Sequence, residues 1–187
     1  MAIKSDWAIL IIGILLFIVS YNFDQQANLF FKSMIFPLFD AVFSLITNFG
    51  IVILVMLIIP SIILYRRNKK QVYLLWLAFF LSVASAFIIK LIFLKQRPVE
   101  AFTYPFTNII NYSFPSMHAM AVFSLLPILA KYSAKHKSFW TGFGLVAVFS
   151  RIYLGFHFLS DVVFGALAGF LIGNFLLKLY EEKKLWK

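Results

Sequence analysis

The chain has 187 residues, 63% of them hydrophobic and only 13% charged, with a mean hydropathy of +0.93. A soluble domain devotes far more of its sequence to polar surface, so these proportions place the chain in a bilayer as one compact membrane domain over 1–187. The net charge of +10 does not point to nucleic acid, because no polar basic module is present to carry it; in membrane proteins Lys and Arg collect in cytoplasmic loops. Without Cys there is no disulfide framework and no thiolate chemistry.

In chain order, charge-free stretches predict an all-α bundle of six transmembrane helices. The first, Trp7–Ser20, is shorter than the roughly 20 residues of a spanning helix. With no small-residue cleavage pattern behind it, it reads as a retained span rather than a signal peptide. The connection Tyr21–Asp40 holds Leu29, Phe30, Phe31, Met34, Ile35 and Phe36 around Lys32, which predicts a short interfacial helix. Ala41–Tyr65 reads as the second span and Gln71–Leu94 as the third. The fourth runs from Ser116 to Ala130 with Pro127 inside it, the fifth from Ser138 to Leu154, and the sixth from Leu159 to Leu179. Gly165, Gly169 and Gly173 put small residues on one face of the sixth, which suits close helix packing within the chain or between copies.

Orientation follows from Lys and Arg. Twelve lie on one side (Lys4, Arg66, Arg67, Lys69, Lys70, Lys131, Lys135, Lys137, Lys178, Lys183, Lys184, Lys187) and five on the other (Lys32, Lys90, Lys95, Arg97, Arg151). Both termini are therefore expected in the cytoplasm of a plasma-membrane protein, with the minority five facing outward.

Ionisable residues near membrane depth demand a reason. Lys90 and Arg97 close the third span, His118 opens the fourth, Arg151 closes the fifth, and His157 and Asp161 open the sixth. All fall at outer helix ends. Three cations suit a dianion, with Arg matching phosphate oxygens as a fork and Lys as a point charge. Ser116, Met117 and His118 start a helix after Pro115, where backbone N–H groups and the helix dipole favour an anion. His157 and Asp161 are spaced i,i+4, so a carboxylate on one face of a helix is expected to hold the imidazole in one tautomer, as a nucleophile or base requires. His118 can protonate a leaving oxygen. One histidine to attack and one to protonate suffices without a metal or other cofactor.

These residues carry a resemblance. Lys90 and Arg97-Pro98 at their spacing, Pro115-Ser116-Met117-His118, and Ser150-Arg151 followed by His157 and Asp161 resemble the three signature motifs of the type 2 phosphatidic acid phosphatase (lipid phosphate phosphatase) superfamily. The resemblance implies that His157 attacks phosphorus and forms a phosphohistidine, that Asp161 orients it, and that His118 is the general acid. It implies that Lys90, Arg97, Ser116, Arg151 and the backbone at Met117 hold the phosphoryl oxygens. Met117 stands where the family most often has glycine. The substrate implied is a lipid phosphate or diphosphate drawn from the bilayer. The small size resembles polyprenyl diphosphate phosphatases, with phosphatidylglycerophosphate and phosphatidic acid as alternatives. Rival readings are a non-catalytic lipid-binding or flipping protein and a transporter; the latter would carry its charges nearer the midplane.

Other polar residues read more plainly. Lys95 and Glu100 are expected to be solvated loop charges, and His136, between Lys135 and Lys137, a solvated loop residue. Trp140, Tyr180 and Trp186 suit an aromatic belt. Tyr104, Asn108, Asn111 and Tyr112 belong to an outer loop, expected to cover the site, with contact to a lipid head group as the alternative.

Overall fold

The computed structural model describes residues 2–34, 36–98 and 111–186, with the side chains of 2–6 outside the description. Every regular element among them is helical. They are α1 (Ala2–Asn22), α2 (Asp24–Lys32), α3 (Pro37–Ile46), α4 (Phe49–Ile53), a π-helical turn (Leu54–Ile58), α5 (Ile59–Tyr65), α6 (Lys69–Phe93), α7 (Met117–Tyr132), α8 (Lys137–Tyr153) and α9 (Leu159–Glu181). Glu100, Tyr104 and Asn108 lie outside the described residues.

Two helices, α6 and α9, are long and apolar enough to cross a membrane unaided; two bent pairs, α1 with α2 and α3 with the unit Phe49–Tyr65, raise the number to four. The expected short first span is in fact a 21-residue helix, because its polar flanks are helical too. The second span departs from expectation. It is not one helix from Ala41 but two segments meeting at 57°, broken at Thr47–Asn48. Asn48 leaves helical geometry and caps the next segment, its Oδ1 accepting from Gly50 N at 2.9 Å.

The bundle is apolar on its outside as well as in its core. Ile11, Leu15, Ile18, Phe80, Ile88, Ile92, Leu145 and Phe175 are exposed, whereas Ser82, Ser124, Ser150, Lys90 and Asp161 are buried. Continuous apolar exteriors of this extent suit lipid, not water. α7 is the central strut. It buries Ala119, Met120, Ala121, Val122, Ser124, Leu125, Ile128 and Leu129 around its circumference and packs on α9, α6 and α8.

The glycine face of α9 is consumed by α7 of the same chain. A Cβ at Gly165 would fall 2.8 Å from the Ser116 carbonyl oxygen, one at Gly169 2.3 Å from that of Met120, and one at Gly173 2.0 Å from that of Ser124. The two backbones are therefore in contact along the seam, which only glycine permits. This contact fixes the start of α7 beside the start of α9. α1 packs on the next face of α9, where Gly13 leaves room for Leu167 and Phe17 meets Phe164.

Candidate active site

The chain direction alternates through α6, α7, α8 and α9, so the C-terminal ends of α6 and α8 share a level with the N-terminal ends of α7 and α9. Lys90, Arg97, Ser116, Met117, His118, Arg151, His157 and Asp161 all come from that one end. The backbone ties the ends together: Ser116 N donates to Asp161 O at 3.1 Å, and His157 N to Arg151 O at 3.1 Å.

His157 sits in the short turn between α8 and α9 and is almost fully buried. Its Nε2 lies 3.5 Å from Arg97 Nη1. Its Nδ1 faces Asp161 Oδ2 at 3.7 Å and forms no hydrogen bond of normal geometry, with the Ser113 carbonyl also near the ring. This corrects one expectation. α9 begins at Leu159, so His157 precedes the helix and does not share a helical face with Asp161. The carboxylate instead serves first as the cap of α9, with Oδ2 accepting from Phe158 N at 2.9 Å and from Ser113 Oγ. Burial pushes the imidazole of His157 well below the usual histidine range, and the cations Arg151, Arg97 and Lys90 push it further the same way. A neutral ring with Nδ1 toward a carboxylate leaves the Nε2 lone pair toward Arg97.

The cations are held by backbone carbonyls. Lys90, 1% exposed, donates Nζ to the carbonyls of Tyr112 and Ser113. Arg97 donates Nε to Asn111 O at 3.0 Å and Nη1 to Phe156 O at 2.7 Å. Asn111 and Tyr112, expected only to cover the site, thus supply main-chain oxygens that aim its cations. Arg151 lies over the Phe156 ring at 4.4 Å and donates Nη1 to Thr47 Oγ1 at 2.6 Å. His118, in the first turn of α7, places Nε2 2.8 Å from Thr47 O and its ring edge-on to Phe49 at 4.6 Å. Ser116 is the N-cap of α7 and Met117 its first residue; the cap bond, Ala119 N to Ser116 Oγ, is long at 3.5 Å.

Three participants were not legible from the motifs. Thr47 joins His118 to Arg151, and it can do so because the helix breaks there and releases its carbonyl. Lys95 is not a solvated loop charge: its Nζ lies 2.8 Å from Asp161 Oδ1 and 3.2 Å from Asp24 Oδ2. Asp24, buried on α2, is the third. Trp140 is likewise no belt residue; it is 3% exposed in the core, donating Nε1 to Ser133 Oγ at 3.1 Å.

Residues 71–185 match the PAP2 superfamily model. The chain belongs to the PAP2 superfamily. It is 36% identical over 90 residues to phosphatidylglycerophosphatase B of Bacillus subtilis (strain 168), a match covering 42% of this chain and 44% of that protein. The chain thus spans less than half the length of that relative. It is 26% identical over 181 residues to lipid A 4'-phosphatase of Porphyromonas gingivalis, covering 87% of this chain and 75% of that one. Among solved structures, the transmembrane PAP2-type phosphatidylglycerolphosphate phosphatase from Bacillus subtilis shares the fold with a TM-score of 0.72 at 20% identity, over 97% of this chain and 98% of that one. LpxE of Aquifex aeolicus does so with a TM-score of 0.68 at 26% identity, over 83% and 94%. These membrane relatives make the chain a multi-pass membrane protein of the same fold.

Proposed function

We propose that this chain is a metal-independent membrane lipid phosphatase that works through a phosphohistidine on His157. The observation that carries this reading is the placement of His157 Nε2 3.5 Å from the Arg97 guanidinium, with Asp161 behind Nδ1 and Lys90 and Arg151 in the same buried layer. A phosphoryl group held by Arg97 has its phosphorus within reach of that nitrogen. Attack forms the N–P bond as the P–O bond to the lipid breaks, and His118 gives its proton to the departing oxygen. Water then cleaves the N–P bond and releases inorganic phosphate. Lys90, Arg97, Arg151, Ser116 and the backbone at Met117 stabilise charge on the phosphoryl oxygens.

In this reading the chain is one membrane domain over 1–187. Its six crossings are α1, the Phe49–Tyr65 unit, α6, α7, α8 and α9, and α2 lies in the interface. Both termini are cytoplasmic in the plasma membrane, and the site faces outward. The two curated relatives are named for phosphatases of phosphatidylglycerophosphate and of the 4'-phosphate of lipid A. Those names favour a lipid phosphomonoester. A polyprenyl diphosphate is the second candidate. Purified protein in detergent, assayed for phosphate release against phosphatidylglycerophosphate, phosphatidic acid, lipid A and undecaprenyl diphosphate, tests both levels. Release from at least one lipid, lost in His157→Ala, is expected; equal release by His157→Ala sinks the catalytic reading. A tenfold or greater kcat/KM preference for undecaprenyl diphosphate reverses the choice of substrate.

A further inference from the structure

Behind His157, away from the phosphate cations, lies a second charged cluster in which Asp161 of the third motif meets Lys95 and Asp24, neither of them a motif position. Asp161 is fully buried, and its two oxygens have separate partners. Oδ2 takes Ser113 Oγ and Phe158 N and faces His157; Oδ1 takes Lys95 Nζ at 2.8 Å. Lys95 reaches Asp161 along the ring of Phe158, with Nζ 4.3 Å from its centroid, and donates also to Ser160 Oγ and Asp24 Oδ2, each at 3.2 Å. Asp24 comes from α2, far away in sequence. Its Oδ1 accepts from Ser160 N at 2.8 Å and its Oδ2 from Ser160 Oγ at 2.6 Å, so it caps the first turn of α9 from another part of the chain.

A buried carboxylate keeps its charge and its rotamer only while that charge is compensated and its lone pairs are filled. Ser113 and Phe158 fill one oxygen of Asp161, and Lys95 supplies the opposite charge at the other. Asp24 in turn holds Lys95 in place and anchors the backbone from which Asp161 projects. We infer that Lys95 and Asp24 are positioning residues of the reaction, which lock Asp161 so that its Oδ2 is presented to Nδ1 of His157. Neither reaches the phosphate. Asp24 lies outside the stretch 71–185 that matches the family, so the α1–α2 unit is a working part of the active site rather than a membrane anchor alone. This inference rests on the assignment of His157 as the nucleophile.

The charged and titratable groups around His157 and Asp161 are Asp24 of α2, Lys90 of α6, Lys95 and Arg97 after it, His118 of α7 and Arg151 of α8. Lys95 and Asp24 have opposite signs, and this gives a test that misfolding cannot imitate. Removing Lys95 favours the protonated imidazole, so the acid limb of kcat moves to higher pH. Removing the charge of Asp24 leaves Lys95 less compensated, so the limb moves to lower pH. The experiment measures lipid phosphate release against pH by the full chain in detergent, for the wild type, Lys95→Met, Asp24→Asn and His157→Ala, with thermal unfolding of each. Lys95→Met is expected to lower kcat about tenfold to a hundredfold with KM within about twofold, and to raise the acid limb by about one pH unit. Asp24→Asn, isosteric and tolerant of the Ser160 bonds, shifts it downward by less. An active wild type whose limb is unmoved in Lys95→Met, or shifts alike in both variants, overturns the positioning role alone. If Lys95→Met does not fold, an unmoved or upward limb in Asp24→Asn overturns it. A wild type with no release from any lipid, or a fully active His157→Ala, overturns the reading of His157 and the inference with it.

Discussion

The two ends of the bundle carry charge in opposite ways. At the end formed by the starts of α7 and α9, Lys95 pairs with the buried carboxylates of Asp24 and Asp161 across α2 and α9. At the other end, Lys131 pairs with Glu181 at 3.0 Å and Lys184 with Glu182 at 2.6 Å, with side chains 42–65% exposed. Both sets count as ion pairs, yet their physics differs. Desolvated charges persist only where every partner is in place, and a membrane protein bears that cost where the charge is used. Exposed pairs are screened and contribute little. Composition alone cannot tell the ends apart; burial does.

That contrast is sharpest at His157, the proposed nucleophile. His157→Ala is expected to lower kcat by about a thousandfold or more while the protein still folds, measured as phosphate release beside a thermal unfolding curve. Arg97→Ala comes next, at about a hundredfold to a thousandfold in kcat/KM, because it removes the donor nearest the position of transition-state charge. A loss below about fivefold would mean that the Arg97–His157 approach is not catalytic.

Between the two ends runs the α7–α9 seam, which holds the charged end in register. Gly173→Ala forces a Cβ to within 2.0 Å of the Ser124 carbonyl oxygen and should destabilise the protein by about 1–3 kcal/mol. Gly142→Ala, where a Cβ meets nothing within 4 Å, should leave the unfolding temperature unchanged or raise it. Equal behaviour of the two would show that the seam is not packed this closely. The smallest effect belongs to the other end: Lys131→Ala should change stability by less than about 0.5 kcal/mol and leave kcat unaltered.

Much of this was legible in the sequence for a physical reason. Helices in a bilayer announce themselves by apolar runs, and alternation of direction makes residues at successive helix ends neighbours, so Lys90, Arg97, His118, Arg151 and His157 can be placed together without coordinates. The small-residue face of α9 was equally plain. What escaped were features that depend on breaks. The bend at Thr47 lies inside a charge-free run without proline, 45–59, where only Thr47, Asn48 and Gly50 interrupt the apolar residues. Asp24 and Lys95 are separated by 71 positions and look like ordinary loop charges until α2 folds back at 60° to α1. His157 and Asp161 suit a helical pair by spacing, but the α9 helix starts between them, and the cap geometry decides where the carboxylate points.

In the proposed mechanism, phosphorus passes through Nε2 of His157. Incubating the purified protein with lipid labelled in its terminal phosphate, quenching into alkaline denaturant and mapping the label tests this directly. The expected result is a base-stable, acid-labile label on His157, absent from His157→Ala. Label on Ser116 or another hydroxyl, or continued phosphate release by His157→Ala, would contradict it.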